Sequence, residues 1–382
     1  MVECLPQAPP STIADWREVD AIVDAVGATL DPVILQGLSR LSESLKSQRY
    51  DEGVIGRDVL RALMVACQIA EERARGSIAA VNMQAPVLIT GFGRTGSTYL
   101  HNLMSCDRAL RAPNLWELWR PTPAPAPQHR DFRISLAHAQ LRQWSKGQLQ
   151  LHPMHPERPD ECYWIIPHQH CHAMAYNAET YCQWMSALSA DEIRRIYECY
   201  RDCARLLMKN FPGRRWLGKC LAHMHYVPVL HQVFPGAKLI RLHRDPCCSV
   251  LSYCTLLGAF TKATFPDRDP LQSRNLIVAV FAEGASRMLQ CHASIDCVDI
   301  LYEDLVSNPI GTIMHIYDKL RLAYSDEFHR ALTSAAAAPA PPRRPPLQFS
   351  DVGLSQETIR SAMPEYFSWA AAKWGAGIWG GV

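Results

Sequence analysis

Residues 86–98 read PVLITGFGRTGST, and the change of rhythm inside them decides the architecture. Val87, Leu88 and Ile89 form a short unbroken apolar run bounded by Pro86 and Gly91, the pattern of a strand buried on both faces in a parallel sheet. STYLHNLMSC, residues 97–106, then takes up helical spacing. A strand, a glycine-bearing turn and a helix in that order aim backbone N–H groups and the positive end of the helix dipole at one point, where a phosphate or sulfate can be held.

The turn is nearly the phosphate loop of nucleoside triphosphatases, with Gly91, four residues and then Gly96. Ser97, however, stands where the lysine that bridges the β and γ phosphates belongs. The cation is instead Arg94, inside the turn, whose planar fork matches two oxygens of a tetrahedral group. No apolar run ends in an aspartate suited to magnesium; VDILYED, residues 298–304, comes nearest but carries Asp299 in its middle. A magnesium triphosphate is therefore disfavoured.

Working outward, RWLGK (215–219), KLIRLH (238–243) and VDILY (298–302) read as further strands, each followed by a helical segment. Two of those segments, PCCSVLSYCTLL and PIGTIMHIYDKL, carry proline at the first turn, where its missing N–H costs nothing. Such alternation predicts an α/β fold, a P-loop-like three-layer arrangement with helices on both faces of a central parallel sheet. Upstream, Ile34, Leu35, Leu38, Leu41 and Leu45 share one helical face, and Leu60, Leu63, Met64 and Cys67 another. ADEIRRIYECYRDCARLLMKNF (190–211) is an amphipathic helix, and proline-punctuated RAPNLWELWRPTPAPAPQ (111–128) reads as an ordered loop. The expected organisation is a helical section over 1–83, an α/β core over 84–325 with a His-rich insertion around 151–185, and an extension over 326–382. That extension holds the low-complexity run AAAAPAPPRRPP.

Composition narrows the function class. Hydrophobic residues make up 48% and charged residues 20%, which supports a sizeable core. Lys and Arg number 39 against 37 acidic residues, so no global field draws the chain to nucleic acid or to an anionic membrane. The start of the chain lacks a secretion-signal pattern, and CCSVLSYCTLLGAFT falls short of the roughly 18 apolar residues of a membrane span. Fourteen cysteines without C-x-x-C pairs fit a reducing compartment better than a disulfide scaffold. A cytoplasmic protein without stable membrane insertion is expected.

At this point the chain resembles the sulfotransferase superfamily, in its bacterial branch with a Gly-x-x-Arg-Ser/Thr-Gly-Ser/Thr-Thr loop, over about residues 84 to 322. GFGRTGSTYLHNLM is similar to that family's loop for the 5′-phosphosulfate of 3′-phosphoadenosine 5′-phosphosulfate (PAPS), which implies that Arg94, Thr95, Gly96, Ser97 and Thr98 hold it. LHRDPCCSVLSYC resembles the 3′-phosphate motif, implying Arg244 and Ser252, and ILYEDLVSNP resembles a late segment in which Tyr302 contacts the nucleotide. The activity implied is sulfuryl transfer from PAPS to a hydroxyl, on a small-molecule or carrier-bound acceptor, with 3′-phosphoadenosine 5′-phosphate (PAP) as product and no metal required.

Sulfuryl transfer is an in-line displacement that needs a cation for the developing charge and a base for the hydroxyl proton. The resemblance implies Lys219, in RWLGKCLAHM, near the bridging oxygen, with Arg94 as a second cation. Glu117, in APNLWELW, is the leading base, with Trp116 and Trp119 beside it to desolvate it. His155 or His152, in LHPMHPERPDECYW, is the rival base with Glu161 to orient it. His168, His170 and His172 alternate as on one strand face and, with neighbouring aromatics, suggest the lining of an acceptor pocket rather than a metal site. Two other readings stand beside this one: a small-molecule kinase or triphosphatase, and a noncatalytic nucleotide-binding protein.

Overall fold

Five strands, all parallel, form the centre of the computed structural model, in the order β2-β3-β1-β4-β5. They are β1 (Val87–Gly91), β2 (Leu110–Arg111), β3 (Arg215–Lys219), β4 (Lys238–His243) and β5 (Cys297–Leu301). The structure describes residues 30–48, 52–126, 131–145, 154–291, 297–338 and 347–380. His152 and residues 339–346 of the proline-rich run fall outside them.

Every residue of β1 is buried, as its unbroken apolar run requires for the middle strand of a covered sheet. On one face lie the helices Ser97–Met104, Pro309–Lys319 and Asp326–Ala336, which contribute Leu100, Leu103, Ile313, Ile316 and Leu332 to one core. A larger core on the other face gathers the helices Pro32–Ser47, Glu52–Ala74, Ala190–Met208, Pro246–Thr264 and Arg274–Cys291. The chain moves outward from β1 in both directions, to β3 on one side and β4 on the other, so a crevice opens at the carboxyl end of β1. Ligands of open α/β sheets bind at such a switch point, and residues 91–98 sit there.

Three local expectations need correction. The segment read as a loop over 111–128 holds the helix Leu115–Trp119, capped by Asn114 with Glu117 in a capping box, and it is preceded by the two-residue β2 that no apolar run announces. His168, His170 and His172 do not share a strand face, because His170 opens the helix His170–Tyr176. They are also neither pocket lining nor surface: all three are buried, with His168 between the Tyr181 hydroxyl and the Ile34 carbonyl. Trp164 and Tyr176 are likewise packed into the core.

Beyond the core, the extension returns to the sheet. Asp299 on β5 accepts hydrogen bonds from Arg241 Nε at 2.8 Å and His243 Nε2 at 2.9 Å, both on β4, and from Lys373 Nζ at 2.5 Å on the helix Pro364–Trp374. His243 Nδ1 meets the Tyr366 hydroxyl at 2.6 Å. Burial alone would raise the Asp299 carboxyl, but hydrogen bonds and charges from His243 and Arg241 reverse this and hold it far below the usual range.

Four fully buried histidines make stability depend on pH. Burial lowers His168 to about 4, and His101, His172 and His223 to about 3. Their depressed pKa values mean that the unfolded chain binds more protons than the folded one from pH 6.5 downward, so stability is full above about 6.5 and falls on acidification. Each histidine contributes at most about 1.4 kcal/mol per pH unit within that window. Urea unfolding at pH 7.5 and pH 5.0 is expected to show a loss of several kcal/mol; equal stability at the two values would contradict neutral burial.

No described helix is long and apolar enough to cross a membrane. The described cysteines are all free thiols.

Candidate anion and transfer site

The turn after β1 adopts the backbone an anion cradle needs. Arg94 and Gly96 both have positive φ, 68° and 83°, and Gly96 is the left-handed cap of the helix Ser97–Met104. A non-glycine residue at such a φ stores about 1–2 kcal/mol of strain, which the loop must hold in place by other contacts. Thr95 supplies one: fully buried, its hydroxyl donates to the Phe92 carbonyl at 2.8 Å. That side chain closes the turn, so Thr95 can offer a ligand only its backbone. Gly91 is required by the neighbouring strand, because a Cβ there would run into the Leu242 carbonyl of β4 and its φ is 134°.

Arg244, the first residue after β4, reaches back to this turn. Its Nη1 donates to the Arg94 carbonyl at 2.9 Å, while the guanidinium carbon lies 4.4 Å from the centre of the Tyr302 ring. Arg94 Nε in turn donates to Ser252 Oγ at 3.1 Å, one helix away on Pro246–Thr264. The structure thus brings together Arg94, Arg244, Ser252 and Tyr302, which the sequence scatters over more than two hundred positions. Two guanidiniums, a hydroxyl and an aromatic face meet beside the turn.

Lys219 ends β3, directly beside Ile89 of β1 in register. Its ammonium is almost completely buried, donates to Thr98 Oγ1 at 3.1 Å, and pairs with Glu161 Oε1 at 2.5 Å. A buried ammonium persists only with such a partner. Behind it His101, on the helix that carries Thr98, contacts the Leu217 carbonyl at 3.3 Å. Burial, followed by the Lys219 charge, pushes His101 down to about 3, so it stays neutral.

The two expected bases have partners of their own. Glu117 is buried, but its Oε1 pairs with Arg111 and its Oε2 receives the Asn114 backbone N–H at 2.6 Å. Trp116 packs against Arg133 and Trp119 against Trp164; Arg111 supplies the charge opposite Glu117, and the carboxylate serves as a helix cap. His155 is exposed, accepts the Glu157 N–H at 3.2 Å and packs on His138 at 5.2 Å between ring centres. Glu161, assigned in the sequence only to orient a histidine, is the carboxylate that stands at Lys219 and Thr98. Its partner is 58 positions away, so only the placement of β3 beside β1 reveals the pairing.

Known proteins share this fold and part of this sequence. Over 255 residues, 62% of its length, the chain is 26% identical to the omega-hydroxy-beta-dihydromenaquinone-9 sulfotransferase Stf3 of Mycobacterium bovis, and equally so to Stf3 of Mycobacterium tuberculosis. It spans 63% of the length of these relatives. The fold matches the crystal structure of sulfotransferase STF9 from Mycobacterium avium with a TM-score of 0.80 at 18% identity, covering 94% of this chain and 98% of that one. It also matches STF1 from Mycobacterium tuberculosis with a TM-score of 0.76 at 22% identity, covering 93% of this chain and all of the other. Residues 86–326, which contain every described strand, the glycine turn and Arg244, match the Sulfotransferase family, and the chain belongs to it.

Proposed function

We propose that the protein transfers the sulfuryl group of PAPS to a hydroxyl of a small-molecule acceptor. The observation that carries this reading is the meeting of the glycine turn with Arg244, Ser252 and Tyr302. A nucleotide with anions at both ends would place its 5′-phosphosulfate on the N–H groups of residues 94–98 and its 3′-phosphate against Arg244 and Ser252. Ser97, in place of the loop lysine, leaves triphosphate chemistry without its usual cation.

In the reaction, the bond between sulfur and the bridging oxygen of the donor breaks as the acceptor oxygen bonds to sulfur. Charge grows on the bridging oxygen, and PAP leaves. Lys219 supplies the positive charge there, and the Thr98 hydroxyl holds the ammonium in position. Glu161 takes the acceptor proton; its carboxylate already stands beside the site and is partly open to solvent. This moves the base from Glu117, whose two oxygens are engaged by Arg111 and the Asn114 N–H. The Stf3 relatives act on a hydroxylated dihydromenaquinone, so an apolar molecule carrying one hydroxyl is the acceptor class to try first.

The direct test is calorimetric titration of the purified protein with PAP and with magnesium ATP, followed by incubation with sulfur-labelled PAPS and hydroxylated acceptors. Tight PAP binding with label transfer is expected. A preference for magnesium ATP would replace the reading with the kinase alternative, and PAP binding without transfer to any hydroxyl would leave a nucleotide-binding protein.

A further inference from the structure

A cavity of about 640 Å³ opens between the helices Glu179–Ala187 and Arg274–Cys291, and Ser186 and Glu283 lie on its wall. Behind them two imidazoles are buried: His170, at the start of the helix His170–Tyr176, and His225, at the end of the short 3-10 helix Leu221–His225. Their rings stack at 4.4 Å with an interplanar angle of 20°. One donor atom from each of His170, His225 and Glu283 lies within 4.8 Å of the others. We propose that these three residues bind a divalent transition-metal ion of the zinc class, with a fourth coordination position facing the cavity.

The spacing of His170 and Glu283 suits the ion. Metal–nitrogen and metal–oxygen bonds of about 2.0–2.2 Å in a tetrahedral site put neighbouring donor atoms roughly 3.3–3.6 Å apart. His170 Nε2 and Glu283 Oε2 are already 3.6 Å apart. The surrounding contacts are those that orient metal ligands. His225 Nε2 lies 3.1 Å from the Val280 carbonyl, a contact that fixes the tautomer and leaves Nδ1 to ligate. Arg287 takes Glu283 Oε1 at 2.7 Å and also holds the Ser186 carbonyl at 2.9 Å, so the carboxylate presents Oε2 inward. The Ser186 hydroxyl donates to that same Oε2 at 2.7 Å.

Two further observations point the same way. Position 284 is glycine within a helix, and a Cβ there would stand 3.0 Å from His225 Cε1; the helix gives up about 1 kcal/mol relative to alanine and admits the ring. His170 Nδ1 makes no hydrogen bond and Nε2 faces the carboxylate. Two imidazoles and one carboxylate match the borderline preference of zinc and its neighbours rather than that of calcium or magnesium. None of the three is a residue of the glycine turn or a partner of Lys219, and this assignment does not depend on the identity of the sulfuryl donor.

Zinc titration of chelator-treated full-length protein is expected to show one ion per chain with a submicromolar Kd, and cobalt to give the strong visible bands of a four-coordinate site. Glu283→Gln, which keeps the shape and the hydrogen bond from Ser186, is expected to weaken zinc at least tenfold with an unchanged circular dichroism spectrum. His155→Ala is the control, because His138, His155 and Glu157 form an exposed cluster that could also take up metal; it is expected to leave the tight site intact. If Glu283→Gln does not fold, the wild-type cobalt spectrum decides between four-coordinate bands and the weak bands of the hexaaqua ion. The proposal fails if no stoichiometric binding is found, or if binding survives Glu283→Gln and disappears with His155→Ala.

Discussion

Replacing Lys219 with methionine is expected to lower kcat by about 10²–10³-fold, the loss of about 2.7–4 kcal/mol seen when one preorganised charge-stabilising donor is removed. The ammonium is buried, and its contacts with Thr98 and Glu161 hold it in a fixed place at the carboxyl end of β3. Methionine keeps most of the volume and removes the charge. PAP affinity should change far less than turnover, because the residues that would take its two phosphates lie on the turn and at Arg244. Glu161→Gln should also reduce turnover sharply, and the double variant should be little worse than the more damaged single one, as for residues that act as a unit. Stopped assays with saturating donor would measure this; a kcat within fivefold of wild type for Lys219→Met would remove the lysine from the transfer step.

Arg244→Ala is expected to weaken PAP by roughly 10- to 150-fold, corresponding to about 1.5–3 kcal/mol for hydrogen bonds to a charged group. Adenosine 5′-phosphate, which lacks the 3′-phosphate, should lose only a few-fold. Some loss is expected even there, because Arg244 Nη1 also supports the Arg94 carbonyl and so the strained turn. Calorimetry on both ligands separates the roles. Equal losses would show that Arg244 only braces the loop, and the 3′-phosphate would then need another partner.

The strands were largely legible because three of them are short apolar runs with hard boundaries: β3 and β4 have the limits that RWLGK and KLIRLH imply, and β1 extends its run only to Gly91. β2 was not, since two residues paired to Arg215 and Trp216 carry no periodicity of their own. The helix at Leu115–Trp119 was hidden by the prolines that follow it, and its capping Asn114 with Glu117 three positions later was the available signal. Within the candidate site, Arg94 was legible as the cation inside the glycine turn, and Arg244 and Lys219 through the family resemblance of their segments; the latter two do fall at the carboxyl ends of β4 and β3. Glu161 was not, because its position depends on an irregular segment joined by an isolated bridge between Pro159 and Asn114, the residue that caps the helix Leu115–Trp119. The histidines misled for a related reason: alternate spacing over five residues fits a strand, and only burial from the surrounding helices turned it into a helical start.

The carboxylate of Asp299 links the helix Pro364–Trp374 to the strands that precede Arg244 and Tyr302. It joins β4, which delivers Arg244, to β5, which delivers Tyr302, and both to Lys373 of the last helix. A nucleotide held by Arg244 and Tyr302, as proposed above, would rest on the same two strands that Asp299 ties to the helix Pro364–Trp374. A chain cut short before Tyr366 would lose both the hydroxyl on His243 and the ammonium on Asp299, and the damage would register at a phosphate that the missing residues never touch.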